Sequence, residues 1–160
     1  MPKASLVYGL LLLLCFRPVF APQDYTARLD SVLEKVKSDL AEKKPEWKHR
    51  SIEPIEGSRN VSVNNWEDDR GQIVRVSISA CGSAESAAEA MRRFSSESRT
   101  LDRLPELGDG GYSWGMGGSN ICFRKGDLTV WVSTGVTNLK EAVKLSQEFA
   151  RLVEAAIPAT

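Results

Sequence analysis

Residues 118–134, "GSNICFRKGDLTVWVST", decide the fold. Gly126-Asp127 is the two-residue turn chemistry that β-hairpins favour. A turn fixed there sets Lys125 opposite Leu128, Phe123 opposite Val130 and Ile121 opposite Val132. Successive side chains on a strand point to opposite faces. Ile121, Phe123, Val130 and Val132 therefore form an inward face, and Cys122, Arg124, Thr129 and Trp131 an outward one. Such a hairpin belongs to an antiparallel sheet with one packed face.

The same period recurs upstream. Val61 and Val63 alternate with polar residues, as do Val74, Val76, Ile78 and Ala80. "EDDRG" between the two runs is turn chemistry and predicts a second hairpin. A short strand around Arg50–Ile55 is confined to an edge by Pro54. Three stretches have helical period instead. The first carries Tyr25, Leu29, Val32, Leu33, Val36 and Leu40 on one side, with Asp24 as its N-cap. The second begins after Ser83 and turns Ala84, Ala87, Ala88, Met91 and Phe94 inward. The third starts at an Asn138/Glu141 capping box and aligns Leu139, Val143, Phe149, Val153 and Ile157. "RTLDRLPELGDGG", broken by Pro105 and its glycines, reads as a loop. The expectation is an α+β fold: an antiparallel sheet of about five to six strands with helices packed on one face.

The N-terminus reads as an export signal. A short basic "MPK" precedes the apolar run Ala4–Phe16, which Arg17 and Pro18 end. That run is shorter than the roughly 20 residues a spanning helix needs, and it has the length of a signal-peptide core. Residues 1–21 are assigned to the signal and 22–160 to a single α+β domain. Pro22 disfavours cleavage directly after Ala21, so the alternatives are cleavage a residue or two later and an uncleaved segment acting as an anchor. Leu14 precedes Cys15 where lipoprotein processing wants a small residue, which argues against lipidation. The predicted location is periplasmic or extracellular, with membrane contact only through this segment if it is uncleaved.

Formal net charge is +0 and no basic block occurs, which argues against a nucleic-acid partner. Two cysteines remain after the signal, Cys81 and Cys122. An even count in an exported domain suggests a disulfide. Both lie in phase with the wet side of their strands, as a bridge between neighbouring strands requires. Two free thiols are the alternative.

"GYSWG" at 111–115 spells the G-x-S-x-G of serine hydrolases. That motif needs a strand before the serine, a helix after it and a histidine base later in the chain. Ser113 is followed by "GMGGSN" and then a strand, and the one histidine, His49, lies upstream. "GMGGS" precedes a strand rather than a helix and lacks the Gly-Lys-Ser/Thr of phosphate loops. The acids of "WEDDRG" lack calcium-loop spacing, and His49 alone cannot hold a metal. No catalytic residue, metal or cofactor is assigned. Asp109, Tyr112, Trp114 and Trp131 remain as candidate binding residues. The aromatics form either an outward binding surface or a second small core.

"LGDGGY", then "ICFRKGDLTVWVST", then an amphipathic closing helix resembles small bacterial extracytoplasmic domains with a Gly-Asp-x-x-Tyr…Arg-Lys-Gly-Asn/Asp pattern. The similarity covers roughly residues 104–157. Gly111 stands where that pattern has alanine or glutamate before the tyrosine. The resemblance implies an exported helix-on-sheet domain without catalysis. Many such domains have no known function, and some are ligand-sensing modules or lipoproteins. The expected role is a cell-envelope binding or sensing module. Its ligand would be a protein or small molecule, reached through "LGDGGYSWGMGGSN" and the outward face. The alternatives are a structural or assembly protein and a small serine hydrolase using Ser113.

Overall fold

A computed structural model describes residues 25–52, 59–97 and 101–158. The expected signal segment, the Asp24 cap and Pro54 lie outside the described residues. The chain order is α1 (Thr26–Lys43), β1 (Lys48–Ser51), β2 (Val61–Glu67), β3 (Ile73–Ala80), α2 (Ala84–Glu97), β4 (Asp102–Leu104), β5 (Gly111–Trp114), β6 (Asn120–Lys125), β7 (Leu128–Thr134) and α3 (Leu139–Ala156). A single 3-10 turn, Met116–Gly118, joins β5 to β6.

One antiparallel sheet holds all seven strands, in the order β1-β2-β3-β7-β6-β5-β4. Three consecutive strands form one half and four the other, and β3 joins β7 at the centre. The Gly126-Asp127 turn sets the expected register, with Phe123 opposite Val130 and Ile121 opposite Val132. The fold class is as expected, but the sheet is larger. The added strand is β4, inside the stretch that read as a loop. Pro105 follows directly after β4 and needs no ladder partner there, which is why an edge position tolerates it.

Two helices share the inner face. From α1, Leu29, Val32, Val36 and Leu40 are buried, and from α3, Leu145, Phe149, Ala150 and Val153. They cover Trp66, Val74, Val76, Ile78, Ile121, Phe123, Val130 and Val132 of the sheet. Phe149 takes Trp47 edge-on at 5.2 Å and Trp66 at 6.1 Å. The N-cap of α3 forms as read, Asn138 Oδ1 accepting from the Glu141 amide at 3.2 Å. Leu139, expected inside, is exposed.

The expectation that all helices pack on one face is corrected by α2. The Cys122 thiol donates to Met91 Sδ of α2 at 3.3 Å, and Phe94 of α2 packs on Trp131. Cys122 and Trp131 point away from Phe123 and Val130, so α2 lies on the opposite side of the sheet. The sheet is thus the middle of three layers. The reason is apolar demand on that side: the outward face of β5–β7 carries Tyr112, Trp114, Cys122 and Trp131, and Ala87 and Met91 of α2 bury against it.

Candidate functional site

The outward face of β5–β7 gathers most of the candidate residues. Tyr112 and Trp114 alternate with buried Ser113 along β5. Trp131 stands on β7 opposite Cys122, which in turn pairs with Tyr112. Trp114 and Trp131 meet edge-to-face at 4.8 Å, and Phe94 of α2 caps both at 5.0 and 5.3 Å. Tyr112 joins at 6.5 Å from Phe94. Edge-to-face ring pairs contribute about 0.5–1.5 kcal/mol each beyond their area, so the cluster fastens α2 as a second small core. It is also a surface, because Trp131 remains 43% exposed.

Asp109 does not join the rings. Its Oδ2 accepts from Arg124 Nη1 at 3.0 Å and from the Gly126 amide at 2.8 Å, holding the β6–β7 turn. The "LGDGG" stretch is correspondingly fixed. The Gly108 amide donates to Glu154 Oε1 at 2.8 Å and the Asp109 amide to the Arg124 carbonyl at 2.8 Å, while Leu107 is buried. The expected fourteen-residue acting loop is therefore a pinned turn, a strand and a 3-10 turn.

Asp109 and Tyr112 do share the rim of a cleft of about 310 Å³ between α2 and β4–β6. Arg92 of α2, Arg103 of β4 and Arg124 of β6 line it beside Met91. Sequence reading missed Phe94 and these arginines as site residues. The register explains it: Arg103 stands opposite Tyr112 only because β4 is a strand.

The expected Cys81–Cys122 bridge is not formed, and both thiols are free. They do project to the same side, but β7 separates their strands. The Cys81 amide donates to the Asp127 carbonyl, which sets Cys81 level with Asp127, whereas Cys122 pairs with Trp131. Two strand spacings across and four residues along put their Cα atoms about 16 Å apart; a disulfide needs less than about 7 Å. Cys81 Sγ sits 3.8 Å from Thr129 Oγ1. Burial pushes the Cys122 thiol up to about 12.

Ser113 and His49 are not brought together. Ser113 is buried on β5, and five strand spacings, about 24 Å, separate β5 from β1. His49 Nε2 hydrogen-bonds Asn64 Oδ1 at 2.8 Å, and its ring packs on Trp66 at 5.2 Å. The acids of "WEDDRG" act in the β2–β3 turn. Asp68 Oδ1 accepts from the amides of Arg70 (3.0 Å) and Gln72 (2.9 Å), and Oδ2 from Arg70 Nε (2.9 Å). Arg70 also reaches Glu141 Oε1 at 2.7 Å, tying the turn to α3. Burial raises the Asp68 carboxyl, but the Gln72 amide and Arg70 overcome it and leave the group below its ordinary value. No cluster of metal-ligating side chains occurs among the described residues. No helix among them is long and apolar enough to cross a membrane. Comparison with protein-family models, curated proteins and solved structures finds no match.

Proposed function

We propose that this chain is an exported, non-catalytic binding or sensing module of the cell envelope, and that it engages its ligand through the aromatic cluster on the outward face. The observation that carries this reading is Trp131, a large indole left 43% exposed while its neighbours Trp114 and Phe94 brace it edge-on. A braced aromatic loses little freedom on binding and offers flat apolar area, the property that makes tryptophan a frequent anchor of binding surfaces. The N-terminal segment and the resemblance across residues 104–157 support the envelope setting.

Tryptophan emission and thermal shift test the reading, with the full chain purified from its envelope. A panel of envelope-derived small molecules and extracts is expected to raise the melting temperature and change the emission. Trp131→Ser should keep the fold and lose both responses. A wild-type protein that responds to nothing, or a Trp131→Ser variant that responds equally, would remove the basis for the proposal.

A further inference from the structure

We infer that the cleft beside Tyr112 takes an oxyanion, a phosphate ester or a carboxylate, carried on an apolar body that extends onto the aromatic cluster. The inference deepens the binding-module reading and rests on it. Three separate elements deliver a guanidinium to one cleft: Arg92 from α2, Arg103 from β4 and Arg124 from β6. Asp109 is the one carboxylate in the lining among the described residues, and its Oδ2 is engaged by Arg124 and the Gly126 amide. Arg92 is held by Glu89, at 3.0 Å from Nε and 2.5 Å from Nη2.

Arg103 has no ion-pair or hydrogen-bond partner among the described residues, although it lies in an antiparallel pair directly opposite Tyr112. The Tyr112 hydroxyl likewise has no hydrogen-bond partner among them. An unpaired guanidinium and a phenol on facing strand positions, flanked by two further arginines, form a donor set with an excess of positive charge. Guanidinium forks match the planar or tetrahedral oxygens of carboxylate and phosphate. Met91 supplies an apolar wall, and Tyr112 belongs both to the cleft and to the ring cluster, 6.5 Å from Phe94. A ligand with its oxyanion on Arg103 can therefore lay its apolar part against Tyr112 and Phe94.

Two sources offer this chemistry: a soluble ester or acid, and the headgroup of an anionic lipid. The full chain is titrated with phenyl phosphate, inorganic phosphate and phenyl glucoside, an uncharged aromatic of similar size, following tryptophan emission. In parallel it is pelleted with vesicles of phosphatidylglycerol or phosphatidylcholine. Arg103→Gln and the double variant Arg92→Gln/Arg103→Gln accompany the wild type, with melting temperatures as fold controls. Phenyl phosphate is expected to bind better than inorganic phosphate or phenyl glucoside. Arg103→Gln should weaken it about tenfold and the double variant up to about a hundredfold, the loss that follows from removing charge-assisted hydrogen bonds. A lipid source predicts in addition that phosphatidylglycerol pelleting exceeds phosphatidylcholine pelleting and that the excess disappears in the double variant. A soluble source predicts equal pelleting with both. Phenyl glucoside binding as well as phenyl phosphate would overturn the oxyanion and leave the aromatic surface standing. Binding of none of the probes, or unchanged binding by the double variant, would overturn the cleft itself.

Discussion

Alkylation of the two thiols tests the strand order most directly. Iodoacetamide at pH 8 reacts with thiolates, so the rate at each cysteine follows its thiolate fraction and its access. An ordinary thiol with a pKa near 8.5 is about one quarter thiolate at pH 8. Cys122, pushed up to about 12 by burial, is ionised there to on the order of one part in ten thousand. The ratio of roughly two thousand is partly offset, because a more basic thiolate is the better nucleophile. With a Brønsted slope of about 0.4–0.5, the compensation is some 25- to 55-fold. A deficit of roughly 40- to 100-fold relative to an ordinary accessible thiol remains. Its 5% exposure closes the approach further, so native labelling at Cys122 requires local opening. Cys81 is partly exposed at the end of β3. Mass spectrometry of a labelling time course should therefore show one adduct forming quickly on Cys81 and a second appearing only after denaturant is added. An intact mass two hydrogens short, with neither site labelled until a reductant is added and the cross-linked peptide holding both cysteines, would refute the placement of β7 between β3 and β6. Equal native rates at both sites would refute the burial of Cys122 under α2.

Gly108 and Gly71 both have left-handed φ, +60° and +76°, but a Cβ at Gly108 would lie 2.2 Å from the Arg124 carbonyl oxygen, whereas one at Gly71 meets nothing. Gly71→Ala should cost about 1 kcal/mol of unfolding free energy from backbone strain alone, and Gly108→Ala roughly 2–4 kcal/mol from strain plus collision; equal losses in urea titration would contradict the pinned turn. Asp68→Ala leaves the Arg70 and Gln72 amides without their acceptor and should cost about 2 kcal/mol at pH 7. The pH dependence has a definite sign, since the Asp68 and Glu141 carboxyls are held below their ordinary values. That stabilisation is fully present above the unfolded carboxyl values near 4 and is lost as pH falls through the folded ones. Asp68→Asn should flatten the fall in melting temperature below about pH 4, and an acid limb as steep as that of the wild type would show that Asp68 is not stabilised as described.

Much of the sheet was legible because its signals are local. The Gly126-Asp127 turn fixes a register within eight residues, and alternation on either side says which face is dry. The β2–β3 hairpin follows from its turn chemistry, in which one Asp68 carboxylate satisfies two backbone amides. Its alternation misleads about the dry face, since Val61 and Val63 stand outward opposite Ser79 and Ser77 while Asn64 and Trp66 are buried opposite Val76 and Val74. Strand order is a different kind of information. Nothing near Cys81 or Cys122 states that β7 lies between their strands, because that pairing is made by residues some fifty positions apart, such as Ser79 with Thr129. Parity was therefore enough to place both thiols on one side and not enough to make them neighbours. β4 stayed hidden for a related reason. Three residues cannot display a period, and Pro105 and the glycines beyond it spoke for a loop while Arg103 was already paired with Tyr112.

Sequence alone reads the second face's aromatics as a binding surface or a second small core, without assigning α2 as their cover. A tyrosine, two tryptophans and a cysteine on the outward side of three adjacent strands are too apolar to face water alone. The chain offered one helix able to cover them, with Ala87 and Met91 small or pliant enough for close approach and Phe94 placed one turn further on. Had the outward aromatics been treated as a demand for a cover, α2 would have been assigned to that face from sequence. The cover is also incomplete: Ala87 and Met91 are its buried residues, Phe94 closes only part of the ring cluster, and Trp131 keeps an open side. The surface that invites a ligand and the contact that fastens α2 are thus the same set of rings. Their edge-on packing leaves Trp131 rigid and exposed at once.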